Sequence, residues 1–400
     1  MRITEKIVLT LMTVSIVIAQ PSFAGPREQA KRIHDRLTGV PATNDDLNQM
    51  EILLGTDTSG KTAAEYAINN SSNKSAFYNV TLKNFASPWT NEAQDVFVPL
   101  NDYSATVIGL IRDGEDFRQV LHGDVIYKGS AAYSMTNNAH YENLESSNAD
   151  LSNSAVLQKQ TQSSVITGLP TNATAGVMTT RAAARAFFID GTNRAMFRFT
   201  MINHLCTDLE PLKDVSRTPD RVHQDVSRSP GGDSRIYLNN CVGCHAGMDG
   251  MMGAFAHYQY DYPDGDEEGG QLTYNASAVE EKFLINSDNF KPGYITTDDS
   301  WINYWRNGQN SILGWSGGTL DSKGNAIGNG AKALGIELSD SQAFAQCQVD
   351  KVFKSVCFRD PNDYAADRSE RDDIVADFTS TYSYNMKEVF TDVAAWCKGS

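Results

Sequence analysis

Apolar residues recur at three- and four-residue intervals through most of this chain, the period of helices that bury one face. Arg27 to Leu37 and Asp45 to Leu54 read as short helices, the second with Leu47, Met50 and Leu54 on one side. The pattern continues from Phe77 to about Gly123 and is clearest in Tyr103 to Ile111 and Phe117 to Leu121. Residues 129–176 are rich in Ser, Asn, Thr and Ala and nearly aperiodic, which predicts a long loop region with ordered turns. Thr180 to Cys206 returns to strong helical spacing. Gly191-Thr192-Asn193 breaks it into two helices, with Thr192 or Asn193 as a cap. Residues 207–234 are polar and contain Pro211, Pro219 and Pro230. Further on, 276–284 reads as a helix, 285–338 as loop-rich, and 339–397 as helical, with Pro361 and Asp363 between two segments. The whole predicts a mainly α protein without a fixed-period repeat.

The first 24 residues have a different pattern. Arg2 and Lys6 give a basic start, Ile7 to Ala19 is apolar except for Thr10, Thr13 and Ser15, and Ser22-Phe23-Ala24 supplies small residues at a cleavage position. This is the layout of a secretory signal peptide, removed after Ala24. The apolar run is too short for a comfortable bilayer span. No later segment approaches a transmembrane length, so the mature chain is expected to lack an integral membrane segment. The expected location is periplasmic or secreted, in a bacterium.

Within the helical pattern stands Cys241-Val242-Gly243-Cys244-His245. C-x-x-C-H is the attachment signature of a c-type haem. Each thiol can add across one porphyrin vinyl group, and the adjacent imidazole of His245 then lies under the iron as proximal ligand. One covalent haem c is therefore the expected cofactor.

The chain has six cysteines and a formal net charge of −15. With Cys241 and Cys244 assigned to haem, Cys206, Cys347, Cys357 and Cys397 remain for two disulfides in an oxidising compartment. Asp340 to Val356 reads as one helix, and ten residues of helix span roughly 15 Å. A disulfide needs Cα atoms within about 7 Å. Cys347 and Cys357 therefore cannot pair directly, and Cys206 and Cys397 each take one of them. The acidic balance repels nucleic acid and anionic lipid and suits a basic redox partner protein.

A sixth iron ligand is harder to locate. Three residues from His245 to Met248 span at most about 10 Å, too little to pass around a porphyrin edge. Met251 and Met252 are marginal and His257 reaches easily; Met252 and His257 are the distal candidates. Met201, His204 and Met386 are limited only by the fold. Gly243, Gly247, Gly250 and Gly253 would let the backbone turn against the macrocycle. Arg235 is a candidate propionate contact. Trp301 and Trp305, four apart, would share a helix face near Tyr304 and Trp315. Five carboxylates in 261–270 form an acidic turn whose spacing does not match an EF-hand.

Cys241 to Asp261 resembles the haem module of planctomycete-type cytochrome c proteins. Met248-Asp249 matches its apolar-Asp pair, Gly253 its glycine, and Tyr260-Asp261 its aromatic-Asp end. Gly250 stands where that family has Pro, and two extra residues separate Asp249 from Asp261. Asn193-Arg194 to Cys206 resembles the helix before the module, Ser339 to Cys397 its helical C-terminal module, and Phe97 to Gly129, more weakly, an upstream one. The resemblance implies a multi-module helical, exported protein with one cytochrome c-like haem module and loop-rich insertions. The expected organisation is a leader (1–24), an N-terminal helical region with its Ser/Asn-rich loop (25–176), the haem module (177–270), a loop-rich aromatic segment (271–338) and a C-terminal helical module (339–400). The leading functional expectation is an exported monohaem cytochrome that transfers single electrons. A haem enzyme of peroxidase or oxygenase type, with an open sixth position, is a second; a binding or assembly protein with structural or sensory haem is a third.

Overall fold

The computed structural model describes residues 24–189, 191–223, 233–284 and 293–399. The predicted leader lies outside them except for Ala24. The fold is mainly α, as the periodicity predicts. Pro26–Thr38, Asn44–Thr56 and Lys61–Asn69 are its first helices. Each starts where the chain supplies a start signal: Pro26 in the first turn, the Thr43 hydroxyl accepting from the Asp46 N–H, and Gly60 in the left-handed region. Their apolar stripes pack on one another and on the last helix, Met386–Trp396.

At the centre runs Asp102–Arg112, in which every residue is buried. An Asn101–Ser104 capping box opens it. At Gly109 the Tyr127 ring lies so close that a Cβ would stand 2.1 Å from it. Tyr127 belongs to β1 (Ile126–Lys128), which pairs antiparallel with β2 (Gln158–Gln160). The 129–176 stretch is therefore more ordered than its composition predicts: it holds β2 and the helix Ala139–Ser146.

Arg181–Phe187 and Arg194–Leu205 form the expected helix pair. The 276–284 helix is absent. That stretch is a turn with one short 3₁₀ segment, Glu281–Phe283, following the hairpin of β3 (Tyr258–Asp261) and β4 (Gln271–Tyr274). A three-stranded antiparallel sheet comes next in the chain: β5 (Ser300–Asn303), β6 (Thr319–Leu320) and β7 (Ala326–Asn329), in the order β5-β7-β6. Gly330–Ser339 is a helix within the stretch expected to be loop-rich, and the C-terminal part has three helices where the pattern predicts two segments: Gln342–Cys357, Ala365–Thr379 and Met386–Trp396.

Two disulfides staple these layers. Cys206–Cys347 ties the end of the Arg194–Leu205 helix to the Gln342–Cys357 helix, and Cys357–Cys397 ties that helix to the last one. Cys347 and Cys357 stay apart on one unbroken helix, as its length requires. One cluster of buried apolar residues runs from Ala30 to Cys397, so the N- and C-terminal helices share a core. No helix among the described residues is long and apolar enough to cross a membrane.

Candidate functional site

The C-x-x-C-H motif opens the helix Val242–Met252, which comes after a single π turn, Tyr237–Cys241. A π turn inserts a residue into the helical ladder and re-aims the side chains beyond it. The helix has little intrinsic reason to form. Gly243, Gly247 and Gly250 lie inside it, and each glycine costs roughly 1 kcal/mol against alanine. Tertiary packing makes up the difference, and the glycines are what permit that packing.

A Cβ at Gly247 would stand 2.0 Å from the Trp305 Nε1, one at Gly250 2.8 Å from the Ile302 carbonyl oxygen, and one at Gly253 2.7 Å from that of Ser300. β5 and the turn after it thus lie directly on the glycine face. At about 100° per residue, His245 projects from the opposite side of the helix. These three glycines admit protein backbone and an indole; they are not the cradle for a macrocycle that the sequence suggests. Gly243 meets the Lys213 side chain and the Asp214 backbone N–H, which donates to the Gly243 carbonyl at 3.1 Å.

Trp305 is fully buried and Trp301 nearly so. They do not share a helix face: Trp301 is in β5 and Trp305 in the 3₁₀ turn Tyr304–Arg306. Trp305 wedges between Gly247 and the Phe197 ring, 5.9 Å away centroid to centroid. Its turn is held from behind by Glu337, whose carboxylate accepts from Asn303 Nδ2 at 2.8 Å and from Arg306 Nε at 2.8 Å and Nη2 at 2.6 Å.

On the other side of the helix, Cys241 and Cys244 are one turn apart and His245 is one turn on from Cys241. All three are partly exposed and neither thiol is in a disulfide. Burial pushes the Cys244 thiol up, and Glu210 adds to it.

The His245 imidazole is anchored from within. Its Nδ1 lies 3.2 Å from Asp249 Oδ1, one helical turn away. Asp249 is buried, and Arg194 grips it with two parallel bonds, Nε to Oδ1 and Nη2 to Oδ2, each 3.0 Å. The backbone N–H of His223 donates to Oδ2 at 3.3 Å. Burial alone would raise the Asp249 carboxyl; the Arg194 guanidinium and the His245 ring outweigh it and hold the group well below the usual carboxylate range. Beside Arg194, Asn193 adopts a left-handed backbone (φ 58°), which Asn tolerates. It does not cap the helix with its side chain, as the sequence suggests. Its Nδ2 donates to the carbonyls of Phe255 (2.9 Å) and Tyr258 (3.0 Å), fixing the far end of the motif segment.

The remaining predicted site residues are not gathered here. Met252 lies two turns beyond His245 on the same helix, wholly buried in the core. Side chains two turns apart on one straight helix point the same way, so they cannot face each other across a ring plane. His257 is further still, with Nδ1 against the carbonyls of Asn275 (2.7 Å) and Ala278 (2.8 Å). His204 is buried against the Tyr103 hydroxyl at 2.8 Å. Arg235 is exposed and pairs with Asp233. The acidic 261–270 turn is the β3–β4 connection, where Asp266 Oδ1 accepts from the Gly269 N–H and Glu268 pairs with Arg185. No group of three or more metal-competent side chains occurs among the described residues.

The residues of the motif fit a c-type haem. Two thiols outside any disulfide and an imidazole share one partly exposed helical turn, and the imidazole's Nδ1 is engaged, so that Nε2 is the nitrogen left for a metal. Val215 (66 % exposed), Leu238 (57 %) and Ile236 (46 %) are large apolar side chains left open to water in the neighbouring segments. Val215 Cγ1 would lie 3.3 Å from a Cβ at Gly243, on the glycine side of the helix. Sequence reasoning missed Arg194 and His223 as parts of this site. The His245–Asp249 spacing of four was legible as a helical pair. Arg194 and His223 carried no signal, because only the fold brings them in. No family model, curated protein or solved structure matches the chain.

Proposed function

We propose that the mature chain is an exported monohaem c-type cytochrome that passes single electrons. The observation that carries this reading is the partly exposed turn of Cys241, Cys244 and His245, with the imidazole braced from behind by Asp249. Bound there, haem c supplies a one-electron iron couple. Cys241 and Cys244 would hold it through sulfur, and His245 would be its proximal ligand. The acidic balance of the chain would suit docking to a basic redox partner. The resemblance to planctomycete-type haem modules belongs to the same proposal.

A second reading, a haem enzyme with an open sixth position, is favoured by Met252, which the helix places on His245's own side and buries in the core. Optical spectra of the protein, matured in a host competent for c-type haem, separate the two. Low-spin spectra in both oxidation states, unmoved by carbon monoxide, support the carrier. A high-spin oxidised form with rapid carbon monoxide binding supports the enzyme, and a colourless product refutes both.

A further inference from the structure

The bracing of His245 has more components than attachment of a cofactor requires. A histidine that only ligates needs some acceptor for its second nitrogen, and a backbone carbonyl suffices. Here the acceptor is a buried carboxylate, and an arginine from another helix is committed to keeping it there. Both Asp249 oxygens are occupied: Oδ1 by His245 Nδ1 and Arg194 Nε, Oδ2 by Arg194 Nη2 and the His223 N–H. Arg194 can only donate, and its two bonds hold Asp249 ionised, so the carboxylate accepts in all of these bonds. The proton between Asp249 and His245 therefore sits on Nδ1. That fixes the tautomer and leaves the Nε2 lone pair outward. A negatively charged acceptor also increases the electron donation of the outer nitrogen.

We propose that Asp249, locked in place by Arg194, is a positioning residue that sets the tautomer of His245 and makes it a strongly donating ligand, so that the oxidised iron is favoured over the reduced. This rests on the haem reading above. A carbonyl acceptor would orient the ring equally well but without the anionic charge. The arginine lets that charge be buried and fixes its direction, since both of its bonds to the carboxylate are parallel.

The test compares wild-type protein with Asp249→Asn and Asp249→Glu, all matured with the c-type system. Intact mass and haem stain come first, then equilibrium redox titration. Loss of an outer-shell partner typically costs a metal site about 10- to 100-fold in affinity or activity, and a loss of that size in affinity for the oxidised iron alone sets the scale. Asp249→Asn should therefore raise the midpoint potential by roughly 60–120 mV, at 59 mV per tenfold for one electron. Asp249→Glu, which keeps a carboxylate, should return most of that shift. A haem-loaded Asp249→Asn protein at the wild-type potential overturns the proposal. If Asp249→Asn is not recovered folded, ¹⁵N-histidine spectra of the reduced wild-type protein decide. A slowly exchanging proton on His245 Nδ1 supports the assignment, and a deprotonated Nδ1 refutes it. A wild-type product without haem defeats the cofactor reading itself and is seen at the first step.

Discussion

The helices that join the two ends of the chain and the helix that carries the C-x-x-C-H motif are built on opposite plans. Pro26–Thr38, Gln342–Cys357 and Met386–Trp396 each bring their own apolar stripe. Ser341 and Asn385 cap the last two, and two disulfides fasten them. Val242–Met252 brings glycines on one side and the motif on the other, and it borrows its order from Trp305, Asn193 and Arg194. A self-sufficient helix tolerates change on its open face. A borrowed one transmits any change in its supports to the residues it presents. The second plan suits a site whose geometry must be set from several elements at once.

The comparison can be broken most sharply at the motif. Replacing Cys241 and Cys244 together by alanine should abolish covalent haem, read by mass and haem stain, while circular dichroism keeps the helical content of the bundle. Next come the staples. By loop-closure entropy, removing Cys206–Cys347 by paired serines should cost about 5 kcal/mol and removing Cys357–Cys397 about 4, because the first closes 141 residues and the second 40. Denaturant titration of the two double mutants should rank them in that order; equal losses would show that the loops are not free in the unfolded chain.

Two glycine substitutions should then have opposite signs. Gly247→Ala pushes a methyl into Trp305 and should destabilise by roughly 1–3 kcal/mol. Gly55→Ala, with nothing within 4 Å of its Cβ in the Asn44–Thr56 helix, should stabilise by up to about 1 kcal/mol. Thermal melts of the pair give both signs. The smallest effect concerns acid. Asp57 accepts bonds from Ser59 and from the Thr62 hydroxyl and N–H, which lower its carboxyl to about 2. The unfolded value is about 3.9. The unfolded chain therefore binds the extra proton, and this stabilisation, complete above about pH 4, is lost as pH falls through about 2. Asp57→Asn should flatten the fall in stability over that range.

The same division governs how much the sequence discloses. Amphipathic helices such as 26–38 are legible because their period is their reason for folding. That Cys347 and Cys357 take separate partners is legible, since a helix cannot fold back within ten residues; which of Cys206 and Cys397 joins each is decided by the fold. Around the motif, C-x-x-C-H is readable as three residues that one helical turn brings together. Its glycines and tryptophans mislead, because the partner of Gly247 lies 58 residues on, in a turn that no local period announces. Trp301 and Trp305 have helical spacing, yet β5 pairs with β7 and takes Trp301 into a sheet. The Arg194–Asp249 contact spans 55 residues and is a product of topology alone.

The central claim is that one haem is joined through Cys241 and Cys244 with His245 beneath it. Its most direct test is the intact mass of the denatured protein from a host that matures c-type cytochromes. The account predicts the mass of the mature polypeptide plus one haem that survives denaturation. A colourless product with the mass of the polypeptide alone would contradict it.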